Sequence, residues 1–246
     1  MLGIGVGDHT LAFLSARAVP GVEETRAGAY RRTHRGAVVS LDGSGEAAQR
    51  LRGSASAAAA ADAHFARDPV LGPLVAARPG LRVPGAVDGG ELAIRAVLGQ
   101  QVSVAAARTH AGRLVAAAGE PLPAPDGALT HFWPAPAAVA EAAPALGLPR
   151  ARRIAVAALA EALADGLVLE PGGDLAAARS ALLELPGIGP WTADYVALRA
   201  LGDPDAWLPG DLGVRHALAR LGAGPEAAEA WRPHRAHAVI RLWASL

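Results

Sequence analysis

The residues best suited to chemistry lie in two places. One is the string Leu185-Pro186-Gly187-Ile188-Gly189-Pro190-Trp191-Thr192-Ala193-Asp194-Tyr195; the other is the isolated acid of Leu208-Pro209-Gly210-Asp211. A Pro-Gly-x-Gly turn between helical segments brings bare backbone close to a ligand, because glycine allows positive φ and carries no side chain. The helix that follows offers unpaired N–H groups and the positive end of its dipole. A phosphodiester suits that geometry. The four-residue pattern alone also serves as an ordinary turn, but Leu185 before it and Thr192-Ala193 after it make the full string more specific. Gly187, Ile188, Gly189, Trp191 and Thr192 are the candidate phosphate contacts. Asp211 precedes the helical stretch Leu212 to Leu218, where its default role is an N-cap. It also falls twenty residues after Trp191, enough for a helix and a loop that return the carboxylate beside the hairpin. Trp191 and Tyr195, four apart, share one helix face.

The segments that must position these groups differ in character. Up to about Ser44, β-prone stretches (Ala12-Phe13-Leu14, and Gly36 to Leu41) alternate with Gly and Arg, which predicts a small α+β layer. Ser54 to Ala63 is an Ala/Ser run that fits either a helix or a linker. Arg78 to Gly85 is a turn-rich break. From Asp88 onward helical spacing dominates, with breaks near 119–125, 133–136, 147–149 and 171–173. Asp174 is a good N-cap for a helix over Leu175 to Leu185, and Pro190 suits the first position of the next, which runs towards Arg199.

Composition removes several chemistries. The 246 residues are 52% hydrophobic, ample for a core. Cysteine is absent, which excludes disulfides, thiolate nucleophiles and Cys-ligated metal centres. Lysine is absent too, so all 23 basic residues are arginines and no side-chain amine can form a Schiff base. No apolar run reaches the roughly 18 residues of a membrane span, and Met1 to His9 lacks the basic start of an export signal. A cytoplasmic protein is expected. The net charge of zero argues weakly against nucleic-acid binding. Local arginine clusters at 31–35, 150–153 and 232–235 read as solvated faces or as a local basic patch. The eight histidines form no convincing metal set: His234 and His237 are three apart with no carboxylate nearby.

Taken together, the segments Ala93 to Ala105, Trp191 to Arg199 and Trp231 to Trp243, with Phe13 to Val19 and Ala77 to Gly85, resemble the helix-hairpin-helix/Gly-Pro-Asp superfamily of DNA glycosylases. Within it the resemblance is to the bacterial 3-methyladenine DNA glycosylase II type, and it spans nearly the whole chain. It implies a mostly α, α+β fold: an N-terminal layer over 1–66, a helical domain over 86–203 containing the hairpin, and a second helical domain from 67–85 and 204–246. It also implies base-excision repair of double-stranded DNA with damaged bases, by a monomer in the cytoplasm beside the nucleoid. Asp211 would be the catalytic carboxylate, and Trp191, Tyr195, Trp243 and Phe13 would form the pocket for a flipped base. A cationic alkylated purine would gain roughly 0.5–2 kcal/mol of cation–π attraction there. No cofactor is needed for the chemistry, but the family holds a monovalent or divalent cation at the hairpin. Here that cation would meet the backbone carbonyls of Leu183, Leu185 and Ile188.

The chain also departs from the family pattern. Where bifunctional members carry a lysine it has Trp191, so base release without a lyase step is expected. Gln101 stands where a leucine wedge fills the gap left by the flipped base, making it a further DNA contact. Gly210 replaces a second acid, and His237, read as a surface or half-buried histidine, replaces an aromatic. Residues 41–67 run shorter than the pattern, which puts one strand of the N-terminal sheet in question. Alkylated purines of the 3-methyladenine and 7-methylguanine kind are the leading substrates. The alternatives are a same-fold glycosylase for deaminated or oxidised bases and a non-catalytic hairpin protein that grips DNA.

Overall fold

The computed structural model describes residues 8–246. The N-terminal layer begins with α1 (Asp8–Ala16), followed by β1 (Glu23–Arg26), β2 (Ala29–His34) and β3 (Ala37–Ser40), which form one antiparallel sheet in chain order. Its register pairs Glu23 with Arg32 and Thr33 with Val38. The stretch around Phe13, which was expected to be β-prone, is helical. The reason lies in the spacing of its buried groups: Thr10, Phe13 and Leu14 fall at i, i+3 and i+4 and turn one face inward. The Ala/Ser run is also helical. It lies within α3 (Ala55–Phe65), after α2 (Glu46–Arg52), and Ser54 caps it by accepting the N–H of Ala57.

The helical part runs through α4 (Gly72–Ala77), α5 (Gly89–Leu98) and α6 (Val104–Ala118). One break holds a hairpin that the sequence reading missed: β4 (Glu120–Asp126) and β5 (Leu129–Phe132) pair antiparallel with a bulge. Pro121, Pro123 and Pro125 read as breakers because proline cannot donate to a ladder, yet they sit on a strand that pairs on one side only. The hairpin docks on the N-terminal layer, where the Thr130 and His131 N–H groups donate to the Gly21 carbonyl. Next come α7 (Pro136–Ala142), α8 (Arg150–Ala164), α9 (Leu175–Glu184), α10 (Pro190–Val196), α11 (Leu212–Arg220) and α12 (Arg235–Ala244). Asp174 caps α9 as expected, accepting from the N–H groups of Ala176 and Ala177. No helix among the described residues is long and apolar enough to cross a membrane.

One large apolar core includes buried residues of α3 and of each helix from α5 to α12, with Leu74 and Val75 of α4 packed against it. A smaller one gathers Phe13, Leu14, Tyr30, Leu41, Leu51 and Val87 beneath the sheet. Trp243 packs against both. The two parts are also joined by charge. Arg32 on β2, buried, donates to Glu23 on β1 and to Glu91 on α5, while Arg95, one turn further along α5, bridges the same two acids at 2.9 and 2.8 Å. Tyr30 adds a hydrogen bond to Glu23. Every charge in the cluster has an opposite partner.

Burial alone would push the Glu23 carboxyl up, but Arg95 and Arg32, aided by hydrogen bonds from Arg95 and Tyr30, outweigh it and hold it below its ordinary value. A carboxylate depressed by folding contributes stability that is complete above its unfolded value, about 4.3, and is lost as pH falls through the native one. Removing one partner of such a buried set should cost about 3–5 kcal/mol. Denaturant unfolding at pH 7 should therefore show a loss of that size for Glu23→Gln. The gap to wild type should narrow below pH 4, as the wild-type carboxylate protonates. A gap constant from pH 7 to pH 3 would mean that folding does not depress the Glu23 carboxyl.

Candidate active site

Three helices meet at Asp211. Leu208-Pro209-Gly210 delivers it in extended backbone to the start of α11, where its Oδ1 accepts the N–H of Val214 at 2.9 Å. The expected cap is therefore formed. The same carboxylate is also held from two other directions. Trp191, in the first turn of α10, donates its indole N–H to Oδ2 at 2.9 Å, and Trp243, near the end of α12, donates to Oδ1 at 2.8 Å. A carboxylate offers about four acceptor positions, so roughly one remains open.

The indoles are also walls. Trp191 and Tyr195 stack with ring centroids 5.4 Å apart and planes 13° apart, and Trp243 lies 6.3 Å from Tyr195 at 45°. Together with Asp211 they line a cavity of about 450 Å³. Gly213 makes room for Trp243, since a Cβ there would stand 3.0 Å from its Cδ1. Phe13 stands behind this wall: it is buried, 6.3 Å from Trp243 in a near-parallel stack, and serves as a backing for that indole.

The hairpin turn joins α9 to α10. Gly187 has φ +77°, and a Cβ on it would come within 2.8 Å of the Ala155 Cβ, so both conformation and space require glycine. Gly189 faces open space at the start of α10. Ile188 and Thr192 are buried, and the Ile188 N–H donates to the Leu185 carbonyl within the turn. The Thr192 hydroxyl accepts from the Gln100 side chain, which also donates to the Gly187 carbonyl. Gln101, next in the chain, is exposed at the α5–α6 turn with φ +55°. Leu183 lies in the last turn of α9, while Leu185 and Ile188 follow it in the turn. Helix-end carbonyls are hard donors without helical partners, although that of Leu185 accepts the Ile188 N–H. Among the described residues no cluster of three His, Asp or Glu side chains could hold a metal.

The arginine clusters separate by partner. Arg31 pairs with Glu24 and Asp126, Arg32 belongs to the buried cluster, and Arg232 and Arg235 share Asp205. Arg150, Arg152 and Arg153 form no ion pair among the described residues; Arg152 donates to the Gln100 carbonyl at 2.6 Å, beside the hairpin. This is the cluster that stands free to meet an anion. His237, expected at or near the surface, is instead buried with neither ring nitrogen hydrogen-bonded, and burial lowers its pKa to about 4, with His234 and Arg241 adding to the effect. The sequence reading also missed Arg17 and Arg199, which line the cavity. Spacing could have revealed both, because each lies four residues beyond a chosen aromatic, Phe13 or Tyr195.

No protein-family model matches the chain. It is 36% identical to the "DNA-3-methyladenine glycosylase 2" of Escherichia coli, with 95% of this chain and 91% of that protein covered. The chain belongs to the DNA-3-methyladenine glycosylase 2 family. It is also 44% identical, over 95% of its length, to a Mycobacterium tuberculosis protein called "Probable bifunctional transcriptional activator/DNA repair enzyme AlkA", but spans only about half of it, 53%. The fold of this family member is similar to that of the 3-methyladenine DNA glycosylase of Archaeoglobus fulgidus, with TM-score 0.74, 21% identity and coverage of 96% and 93%.

In this glycosylase-family chain the two indoles can be tested apart from their stacking surface. Trp191→Phe and Trp243→Phe keep an aromatic wall but remove one hydrogen bond each to a charged group, an interaction of about 1.5–3 kcal/mol. Each should lower single-turnover base release about ten- to a hundredfold while weakening binding to an abasic-site duplex far less. Equal losses in both measurements would assign the indoles to packing alone.

Proposed function

We propose that this chain is a monofunctional DNA glycosylase that hydrolyses the N-glycosidic bond of alkylated purines in double-stranded DNA. The observation that carries the reading is a carboxylate fixed by the indoles of the very wall a flipped base would stack on. A base inside a duplex is out of reach, so the nucleotide must leave the stack and be held by aromatic faces. Trp191 with Tyr195, and Trp243, supply those faces. Breaking the bond to the base builds positive charge on the sugar; Asp211, its orientation set in advance, stabilises that charge and leaves an acceptor position for the attacking water. The products are a free base and an abasic site.

The grip on DNA is assigned to the backbone at Gly187, Ile188, Gly189, Trp191 and Thr192, to Gln101 as the group that enters the gap, and to Arg150, Arg152 and Arg153 beside them. A hard cation at the carbonyls of Leu183, Leu185 and Ile188 would add a bridge to a DNA phosphate. The absence of lysine anywhere in the sequence supports simple hydrolysis over a lysine-dependent lyase step. We assign the chain to a monomer acting on DNA in the cytoplasm.

Asp211→Asn is the sharpest test, because asparagine caps a helix nearly as well as aspartate and the variant should fold. It should release 3-methyladenine and 7-methylguanine from methylated duplex at least a hundredfold more slowly, on the order expected for a lost transition-state electrostatic contact, while still binding abasic DNA. Borohydride should trap no covalent adduct. Wild-type protein that binds duplex DNA without releasing either base would make it a hairpin binding protein; a trapped adduct would make it a lyase.

A further inference from the structure

Two guanidinium groups, of Arg17 and Arg199, border the aromatic cavity with no carboxylate among the described residues at ion-pair distance, although Asp88 and Asp211 line the same space. Glu23 and Glu91, on the same wall, are committed to Arg32 and Arg95. Arg17 and Arg199 form no ion pair among the described residues, and both crowd one aromatic ring: their Cζ atoms lie 3.7 and 4.6 Å from the Phe13 centroid. Burial lowers the pKa of each, and repulsion from neighbouring arginines adds to it. Arg199 is fixed by the carbonyls of Pro84 and Gly85 and by the Tyr195 hydroxyl. Arg17 is different. Among the described residues its side chain donates from Nη1 to the Phe13 carbonyl at 3.1 Å and stands beside the Tyr195 hydroxyl, so about three of its five N–H donors remain for whatever enters the cavity.

We propose that Arg17 is the leaving-group donor of this site, hydrogen-bonding bases that depart with negative charge and so favouring neutral lesions over cationic ones. The inference rests on the glycosylase reading above. When a neutral base leaves, the bond from C1′ to the base nitrogen breaks with both electrons going to the base. Water oxygen then bonds to C1′, and one water proton ends on the base. In between, the base is an anion whose charge spreads to its oxo and ring-nitrogen acceptors. A guanidinium donates to such an anion and keeps its own proton. A cationic base takes the same electron pair and leaves neutral, so relative to free DNA Arg17 meets no anion to stabilise and its only effect in the bound state is a repulsion that departure relieves. On entering it also meets a positive wall, and the Phe13 ring already faces a cation.

Hypoxanthine and 7-methylguanine share an oxo group at C6 and differ in charge, which makes them the probes. Single-turnover release of each should be measured from the same duplex sequence at subsaturating enzyme, where the rate refers to free enzyme and DNA, with wild type, Arg17→Gln and Arg17→Lys. The ratio of the hypoxanthine rate to the 7-methylguanine rate should fall about ten- to a hundredfold in Arg17→Gln, the size of a lost hydrogen bond to charge, and less in Arg17→Lys. Arg17→Met, which keeps the stem over Phe13, carries the same expectation if the glutamine variant does not fold. An unchanged ratio would overturn the proposal, as would a wild-type enzyme that releases 7-methylguanine but not hypoxanthine. A wild type that releases neither base would overturn the glycosylase reading itself.

Discussion

Asp211 is fixed at the edge of an aromatic-walled cavity because α10, α11 and α12 each supply it with a donor. A buried or half-buried carboxylate without such partners would lose more from desolvation than it could return in catalysis. The constraint therefore runs outward from this one group. The hairpin must aim Trp191 inward while Gly187 packs against α8 and Gly189 faces open space, the Pro-Gly turn must present Asp211 at a helix start, and α12 must arrive with Trp243 over a residue without a side chain. Each of these elements has its own local reason to form, and their agreement gives the site its shape.

Trp243 depends on the N-terminal layer as well. Phe13 on α1 backs it, and the chain just after α1 is tied to α5 through the Arg17 carbonyl, which accepts from Arg95. Arg95 in turn belongs to the buried four-charge cluster. A displaced sheet would therefore loosen the wall of the cavity although no strand residue touches Asp211. Buried ion pairs rarely add net stability over apolar packing; here the cluster fixes the angle at which a small layer meets a large helical core, through partners no apolar residue could replace one for one.

Much of this arrangement was legible in the sequence, and the reasons are local. The hairpin, the cap at Asp174, the cap at Asp211 and the shared face of Trp191 and Tyr195 follow from turn chemistry and helical spacing alone. The resemblance to a glycosylase family supplied the role of Asp211 and added Trp243 and Phe13, which no spacing rule links to residue 211. What was missed depends on tertiary contact. The β4–β5 hairpin hid behind three prolines, α1 looked β-prone until its buried face was seen, and His237 gives no sequence sign of its burial. The two indole N–H bonds to one carboxylate join residues 20 and 32 positions away, and only the fold brings them together.

The pocket holds opposing electrostatic preferences. Aromatic faces attract a cationic base, and in the proposed mechanism Asp211 stabilises the sugar cation left behind; these features suit lesions that are already good leaving groups because they depart neutral. Guanidiniums beside the same faces oppose cationic binding but lower the cost of an anionic departure. A site with only the first set would be confined to labile cationic purines. One with only the second would bind neutral bases yet lack stabilisation for the sugar. With the roles proposed for Asp211 on the sugar side and Arg17 near the aromatic wall, the transition state for a neutral lesion would be complemented at both ends of the breaking bond, and for a cationic lesion at one end, where that is enough.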